Sequence, residues 1–316
     1  MRRSARRLTP VAVLLLLLTV VAGCGDGGDA EAAGSLDVIA SATFLADIAQ
    51  NVAGQRFTVR ALVPADADLH AYEPTPHDLA DVAGADLFIV NGAGLEGTLE
   101  DTVRAAAGDL RVVEASAGLK SRLPRPGEPL YEGAADGGAS ETDPHFWLDP
   151  TLVETYVRNL RDAFAATDPA GAATYAANAD AYVAKLEALD RRIREQVATV
   201  PANARKLVMD HMSYGYFADR YGFTIVGAVI PSVGTGDAPT ARQLADLTRT
   251  IRDTGARAIF VESGQSPALA EQVAAETGIA VVGDLRDHAL SGPDGEAPTY
   301  IDMMKFDTQR IVEALR

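Results

Sequence analysis

The sequence predicts an α/β fold of two lobes with mainly parallel sheets, joined by one long rigid interdomain helix. Three observations predict it. Short apolar runs alternate with helical stretches over residues 36–316, and the alternation occurs twice, before and after a long helical segment. The length of 316 residues also favours two domains, since a domain takes about 150 residues.

Eight apolar runs have the length and composition of strands. In the first half they read LDVIAS, FTVRALVP, DLFIVNG and LRVVEAS, and in the second half KLVMDH, TIVGAVIP, AIFVES and AVVGDL. Helical stretches such as PHDLADVAGA lie between them. This order is typical of parallel sheets, because parallel strands need a crossover connection.

The middle segment has one apolar face with spacings of three and four residues, which predicts a helix from about Ala172 to Val197. Asp168 can cap this helix, Pro169 suits its first turn, and Pro201 lies past its end. Too few heptads are present to require a coiled coil. We interpret it as the connecting helix, residues 169–200, between an N-terminal lobe, 36–168, and a C-terminal lobe, 201–316.

The N-terminus has the pattern of a secretory signal peptide over residues 1–23, with four arginines before an apolar run that is too short to span a membrane. The only cysteine, Cys24, follows in VAGC. A free thiol is one interpretation, but VAGC resembles the bacterial lipobox, which implies cleavage and lipid on Cys24. Residues 24–35 then form a flexible tether. The protein is therefore expected to be anchored to the outer face of the cytoplasmic membrane.

The chain is acidic, with a formal net charge of −16, and removal of the signal peptide makes it more so. An acidic surface argues against nucleic acid and anionic lipid as partners. It modestly concentrates cations, although solubility alone would also explain it.

Four polar side chains are expected at the ends of strands. His70 comes after FTVRALVP, and His211 is the last residue of KLVMDH. His145 precedes the helix that starts near Pro150, and Asp287 follows AVVGDL. Ligands of α/β domains gather at the carboxyl ends of strands, so these four can converge in a cleft between the lobes. Three imidazoles and one carboxylate suit tetrahedral Zn²⁺. Their wide spacing forms no compact motif, and a single histidine is more often structural.

Other residues have weaker signals. Glu262 ends AIFVES, and we hypothesise that it hydrogen-bonds a ligating histidine. Phe146 and Trp147 can form a dry wall beside His145. His77 lies in the first turn of a helix with a capping box and is expected at the surface. His288 could replace Asp287 as a ligand, but adjacent side chains normally point in different directions.

Several segments resemble the metal-binding receptors of bacterial ABC transporters that import zinc or manganese, the cluster A-I or cluster 9 solute-binding proteins. These segments are LHAYEPTPHDLADVAGADLFIVNGAGLE, DPHFWLDP, DPAGAATYAANADAYVAKLEALD, HMSYGYFADRYGF and TYIDMMKFDTQRIVEAL. The resemblance implies a metal buried between two lobes and a membrane permease as partner. It also places His70, His145, His211 and Asp287 on the family's four ligand positions.

The residue at the third ligand position, His211, favours zinc over manganese. Manganese receptors of this family generally have a glutamate where His211 stands, whereas zinc-type members have a histidine. The resemblance thus implies a monomeric zinc receptor, with Mn²⁺ possible. The histidine-rich loop of many zinc receptors is missing from RPGEPLYEGAADGGASETD. A manganese receptor, a metal-dependent hydrolase and an adhesin are the alternatives; a hydrolase is disfavoured because four ligands leave no open position and H-E-x-x-H is absent.

Overall fold

The computed structural model describes residues 36–316, except 66, 109, 126–127, 129–141 and 237. The predicted signal peptide, the tether and Cys24 lie outside the described residues, as does most of the histidine-free segment before His145. Within the described ranges, no helix is both long enough and apolar enough to cross a membrane.

The first lobe contains one parallel sheet with strand order β2-β1-β3-β4. Each strand is short, and helices pack against the sheet. The elements are β1 (Val38–Ala40), α1 (Thr43–Ala53), β2 (Val59–Ala61), α2 (Pro76–Ala83), β3 (Leu87–Val90), α3 (Thr98–Ala107), β4 (Val112–Glu114) and α4 (Pro150–Thr167).

The second lobe follows α5 (Ala172–Val197) and repeats the arrangement, with strand order β6-β5-β7-β8 and all pairs parallel. The fold class predicted from the sequence is confirmed, and every predicted strand is present. The elements are β5 (Lys206–Met209), α6 (Gly215–Tyr221), β6 (Thr224–Ala228), α7 (Ala241–Thr254), β7 (Ala258–Glu262), α8 (Ala268–Thr277), β8 (Ala280–Leu285) and α9 (Tyr300–Leu315).

Helix α5 contacts both lobes, because it packs on α1 and α4 of the first and on α6 and α9 of the second. Its buried face is the predicted one. The prediction that Asp168 caps it is wrong, since a 3₁₀ turn at Pro169–Gly171 intervenes. Instead the Asp168 carboxylate accepts hydrogen bonds from Arg56 at 2.6 Å and from the Tyr175 hydroxyl at 2.5 Å. These bonds fix the start of α5 to the loop after α1.

The C-terminal segment also crosses between the lobes. The Tyr300 amide donates to Asp47 of α1 at 3.0 Å, and the Tyr300 hydroxyl donates to the carbonyl of Trp147 at 2.6 Å. The Leu290 amide donates to Thr43 at 2.8 Å. One apolar core contains buried residues from both sheets, α5 and α9. Separating the lobes would therefore expose apolar surface, which opposes a wide hinge motion.

Candidate metal centre

The carboxyl ends of the second sheet form the floor of the site. In its order β6-β5-β7-β8, the chain leaves β5 and β7 toward opposite sides, which creates the crevice where ligands bind in parallel sheets. His211 follows β5 closely and Glu262 is the last residue of β7. The strand order thus places both side chains at this crevice.

The three histidines predicted from the sequence come together there. His70 lies in the loop between β2 and α2, and His145 precedes the turn that leads into α4. The ring centroids are 5.6 Å apart for His70 and His145, 5.7 Å for His70 and His211, and 5.4 Å for His145 and His211. His145 and His211 are fully buried. Two lobes therefore contribute to one imidazole cluster.

Carboxylates orient two of these rings. Asp143 Oδ1 lies 2.9 Å from His145 Nδ1, and Asp210 Oδ1 lies 3.1 Å from His211 Nδ1. Each carboxylate is placed to accept an Nδ1–H, which leaves Nε2 as the ring atom that can bind a metal ion. Among the described residues, His211 Nε2 has no hydrogen-bond partner although it is buried. A buried ring nitrogen of this kind is suited to bind a metal ion once it has lost its proton.

Burial and charge act differently on the three rings. Burial lowers the pKa of His70 and of His145 well below 6.5, because a buried positive charge loses its hydration. Repulsion by the neighbouring imidazoles lowers both pKa values further. Burial also opposes charge on His211, but the carboxylates of Asp210 and Glu262 outweigh it and raise its pKa to about 9. Two rings are therefore neutral and ready to ligate at neutral pH, whereas His211 must lose a proton first.

Asp287, the fourth predicted ligand, is buried beside this cluster. Its Oδ1 lies 3.2 Å from His288 Nδ1, and within the described part of the chain neither carboxylate oxygen makes a hydrogen bond. Its backbone carbonyl accepts the indole N–H of Trp147 at 2.5 Å. Asp287 forms a group with His211, Glu262 and His288 in which one donor atom of each lies within 4.8 Å of the others.

His288 lies inside the cluster, although a side chain adjacent to Asp287 was expected to point in a different direction. Its Nε2 is 3.1 Å from His70 Nε2 and 3.1 Å from His145 Nε2. Its Nδ1 is 2.6 Å from Glu262 Oε2, so Glu262 does orient a histidine at the site, but not one of the predicted ligands. Because these residues follow β8 in an irregular loop, the alternation of side chains along a strand does not apply.

Aromatic residues close one side of the cluster. The Trp147 ring lies 5.2 Å from the His145 ring and stacks on Phe44 at 4.4 Å. Phe146 packs on Tyr216 at 4.9 Å. Trp147 thus forms the expected dry wall. His77 stands apart on α2, where its side chain is 84% exposed, as predicted.

A pocket of about 270 Å³ leads from the surface to His70, and Thr142 and Gly234 from opposite lobes line it. Asp68 bridges the lobes beside it. Its Oδ2 accepts hydrogen bonds from Thr235 Oγ1 at 2.6 Å and from Gln265 Nε2 at 2.8 Å, while its Oδ1 accepts the His70 amide at 2.9 Å. Asp68 therefore ties the loop that bears His70 to the opposite lobe.

The chain is similar to known metal-binding proteins over most of its length. Residues 38–314 match the family described as zinc-uptake complex component A periplasmic (ZnuA). The chain is 35% identical to the manganese-binding lipoprotein MntA of Halalkalibacterium halodurans, over 96% of this chain and 97% of that protein. It is 32% identical to the iron-binding protein YfeA of Yersinia pestis, over 98% of this chain and 96% of that protein.

A solved structure has the same fold. The periplasmic zinc-binding protein TroA of Treponema pallidum matches with a TM-score of 0.78 and 26% identity, over 89% of this chain and 99% of that chain. These similarities confirm the family resemblance found in the sequence. These proteins are named for zinc, manganese and iron, so similarity alone does not select the metal.

The Asp68 bridge leads to a kinetic prediction. Asp68→Ala removes two hydrogen bonds between the lobes, so a bound divalent metal ion should dissociate about tenfold faster, the effect of about 1.4 kcal/mol. Stopped-flow mixing of loaded protein with a chelator measures this rate. Thr235→Val removes only one of the two bonds and should have a smaller effect. An unchanged rate in Asp68→Ala would show that the bridge does not restrain the loop.

Proposed function

This chain belongs to the ZnuA family, the cluster A-I metal-binding receptors of ABC transporters, and we propose that it is a receptor that captures Zn²⁺ outside the cytoplasm and delivers it to the membrane permease of an ABC importer. One observation supports this most strongly: buried imidazoles from both lobes converge, with one ring nitrogen of each within 4.8 Å of the others, and carboxylates hold the Nδ1 atoms of His145 and His211 so that their Nε2 atoms remain for a metal ion. His70, His145 and His211 are the proposed ligands from the imidazole cluster. The adjoining pair Asp287 and His288 supplies the fourth.

The donor atoms support zinc over manganese. Zn²⁺ accepts a closed tetrahedral shell of nitrogen donors, whereas Mn²⁺ is lowest in the usual affinity order and favours oxygen. His211, fully buried at the end of β5, supplies nitrogen where a carboxylate would suit manganese.

A manganese receptor is the second candidate. Two observations favour it: the relative MntA is named for manganese, and the carboxylates of Asp287 and Glu262 lie within reach of the cluster. If both carboxylates entered the shell, the donor set would hold enough oxygen for Mn²⁺.

We also propose that the mature protein begins at Cys24 and is held by lipid at the outer face of the cytoplasmic membrane. The signal-like residues 1–23 and VAGC support this, and the relative MntA is named a lipoprotein. A monomer suffices for the site, because a single chain contributes all of the proposed ligands. An enzyme is disfavoured, since the family consists of solute-binding receptors.

The first test concerns stoichiometry. The mature protein should bind one Zn²⁺, and His145→Ala should weaken binding by more than about 100-fold. That loss exceeds the effect typical of residues that orient a ligand without contacting the metal. Calorimetry with a competing chelator measures both. His77→Ala is the matched control, because that imidazole is exposed on α2. Full affinity in His145→Ala would remove this residue from the site.

Metal choice is tested by competition. The unmodified protein should prefer Zn²⁺ to Mn²⁺ by more than about 100-fold, since nitrogen donors favour zinc. His211→Glu should narrow this preference at least about tenfold, because a carboxylate replaces an imidazole. Titration of both proteins with both ions measures the ratio. A preference for manganese in the unmodified protein would establish the second candidate instead.

The pH dependence follows from His211. Its raised pKa of about 9 means that it carries a proton at neutral pH in the absence of metal, so the proton competes with Zn²⁺. Affinity should therefore fall about tenfold for each pH unit below about 9, the effect of one displaced proton. Chelator competition at several pH values between 6.5 and 8.5 measures the slope. A flat profile would contradict the displaced proton.

A further inference from the structure

Four imidazoles, one more than the three histidines at the family's four ligand positions, converge at the carboxyl ends of the second sheet. His288 Nε2 is 3.1 Å from the Nε2 atoms of both His70 and His145. In tetrahedral zinc sites with Zn–N of about 2.0–2.1 Å, two ligating nitrogens lie about 3.3 Å apart. One ring nitrogen from each of the four histidines lies within 4.8 Å of the others. The two separations of 3.1 Å are therefore close to those between ligands of a common ion.

His288 is also oriented as the other rings are. Glu262 Oε2 accepts its Nδ1–H at 2.6 Å, as Asp143 accepts that of His145 at 2.9 Å. Both rings therefore direct Nε2 toward one another at 3.1 Å. Either a proton or a metal ion between the two nitrogens can satisfy them. A bound metal ion would replace that proton.

Asp287 has a different position. Its Oδ1 is 3.2 Å from Nδ1 of His288, which is the side of the ring that Glu262 also contacts. Its carboxylate forms a group with His211, Glu262 and His288, but it is not part of the four-imidazole group. The carboxylates of Glu262 and Asp287 thus lie near Nδ1 of His288, on the side of the ring away from Nε2. A negative charge there makes Nε2 a more basic metal ligand.

We propose that His288, and not Asp287, is the fourth metal ligand, so that the site holds its ion with four imidazole nitrogens. This inference rests on the proposed function as a metal receptor and narrows its substrate class. Four nitrogens favour Zn²⁺, Co²⁺, Ni²⁺ and Cu²⁺ over Mn²⁺ and Fe²⁺. Glu262 and Asp287 are positioning residues that orient the ring and balance the charge of the ion.

Two variants of the mature protein test the proposal, with Co²⁺ as a spectroscopic probe and Zn²⁺ for affinity. His288→Ser should lower zinc affinity by more than about 100-fold and change the visible absorption of bound Co²⁺, since it removes a nitrogen donor. Asp287→Asn should lower zinc affinity by about tenfold and leave the Co²⁺ bands in place, as for a residue outside the ligand shell. His77→Ser is the matched control for loss of an imidazole.

The outcomes separate the two proposals. Changed Co²⁺ bands in Asp287→Asn would place the carboxylate in the shell and overturn the inference, even if His288→Ser failed to fold. Full zinc affinity with unchanged Co²⁺ bands in His288→Ser would also overturn it, while the receptor function would stand. Failure of the unmodified protein to bind either ion would instead overturn the proposed function.

Discussion

The metal centre depends on buried imidazole nitrogens that face one another. His211 Nε2 is buried and, among the described residues, has no hydrogen-bond partner, a state that costs about 1–3 kcal/mol in a folded protein. Asp143 and Asp210 prevent the rings of His145 and His211 from turning to relieve it, because each accepts an Nδ1–H. The carboxylates of Asp210 and Glu262 also favour a positive charge on His211, which is why its pKa is raised to about 9. Folding thus prepares the site, and a metal ion that binds there displaces the proton of His211.

This preparation requires that the two lobes hold their relative position. Helices α5 and α9 each pack on elements of both lobes, and one apolar core continues across them. The Trp147 indole also donates to the carbonyl of Asp287, which joins the wall of the site to the loop after β8. Entry and release of the ion therefore require local movement more than a wide separation of the lobes. The loop that bears His70 is suited to such movement, because two hydrogen bonds through Asp68 hold it to the opposite lobe at this point. Breaking two hydrogen bonds would release this connection.

The sequence predicted the repeated sheets and helix α5 because these depend on local periodicity, and it predicted His70, His145 and His211 because strand ends of parallel sheets converge. It did not predict that the His288 ring lies inside the imidazole cluster, since the loop backbone after β8 sets the directions of the adjacent Asp287 and His288 side chains. It also missed Asp143 and Asp210 as partners of the rings. Each lies within two residues of the histidine that it orients, so an acidic residue beside a candidate ligand was the available signal.

The relatives named for zinc, manganese and iron show that this fold does not determine the metal. Selectivity must then come from the few donor atoms at the strand ends, where a change of one side chain alters the balance of nitrogen and oxygen. In this chain the position after Asp287 is an imidazole that Glu262 already orients. Copper also binds nitrogen donors tightly, so these ligands alone do not exclude it. In the zinc receptor that we propose, the nitrogen donors would favour zinc over manganese, whereas selection against copper would have to come from the availability of each metal.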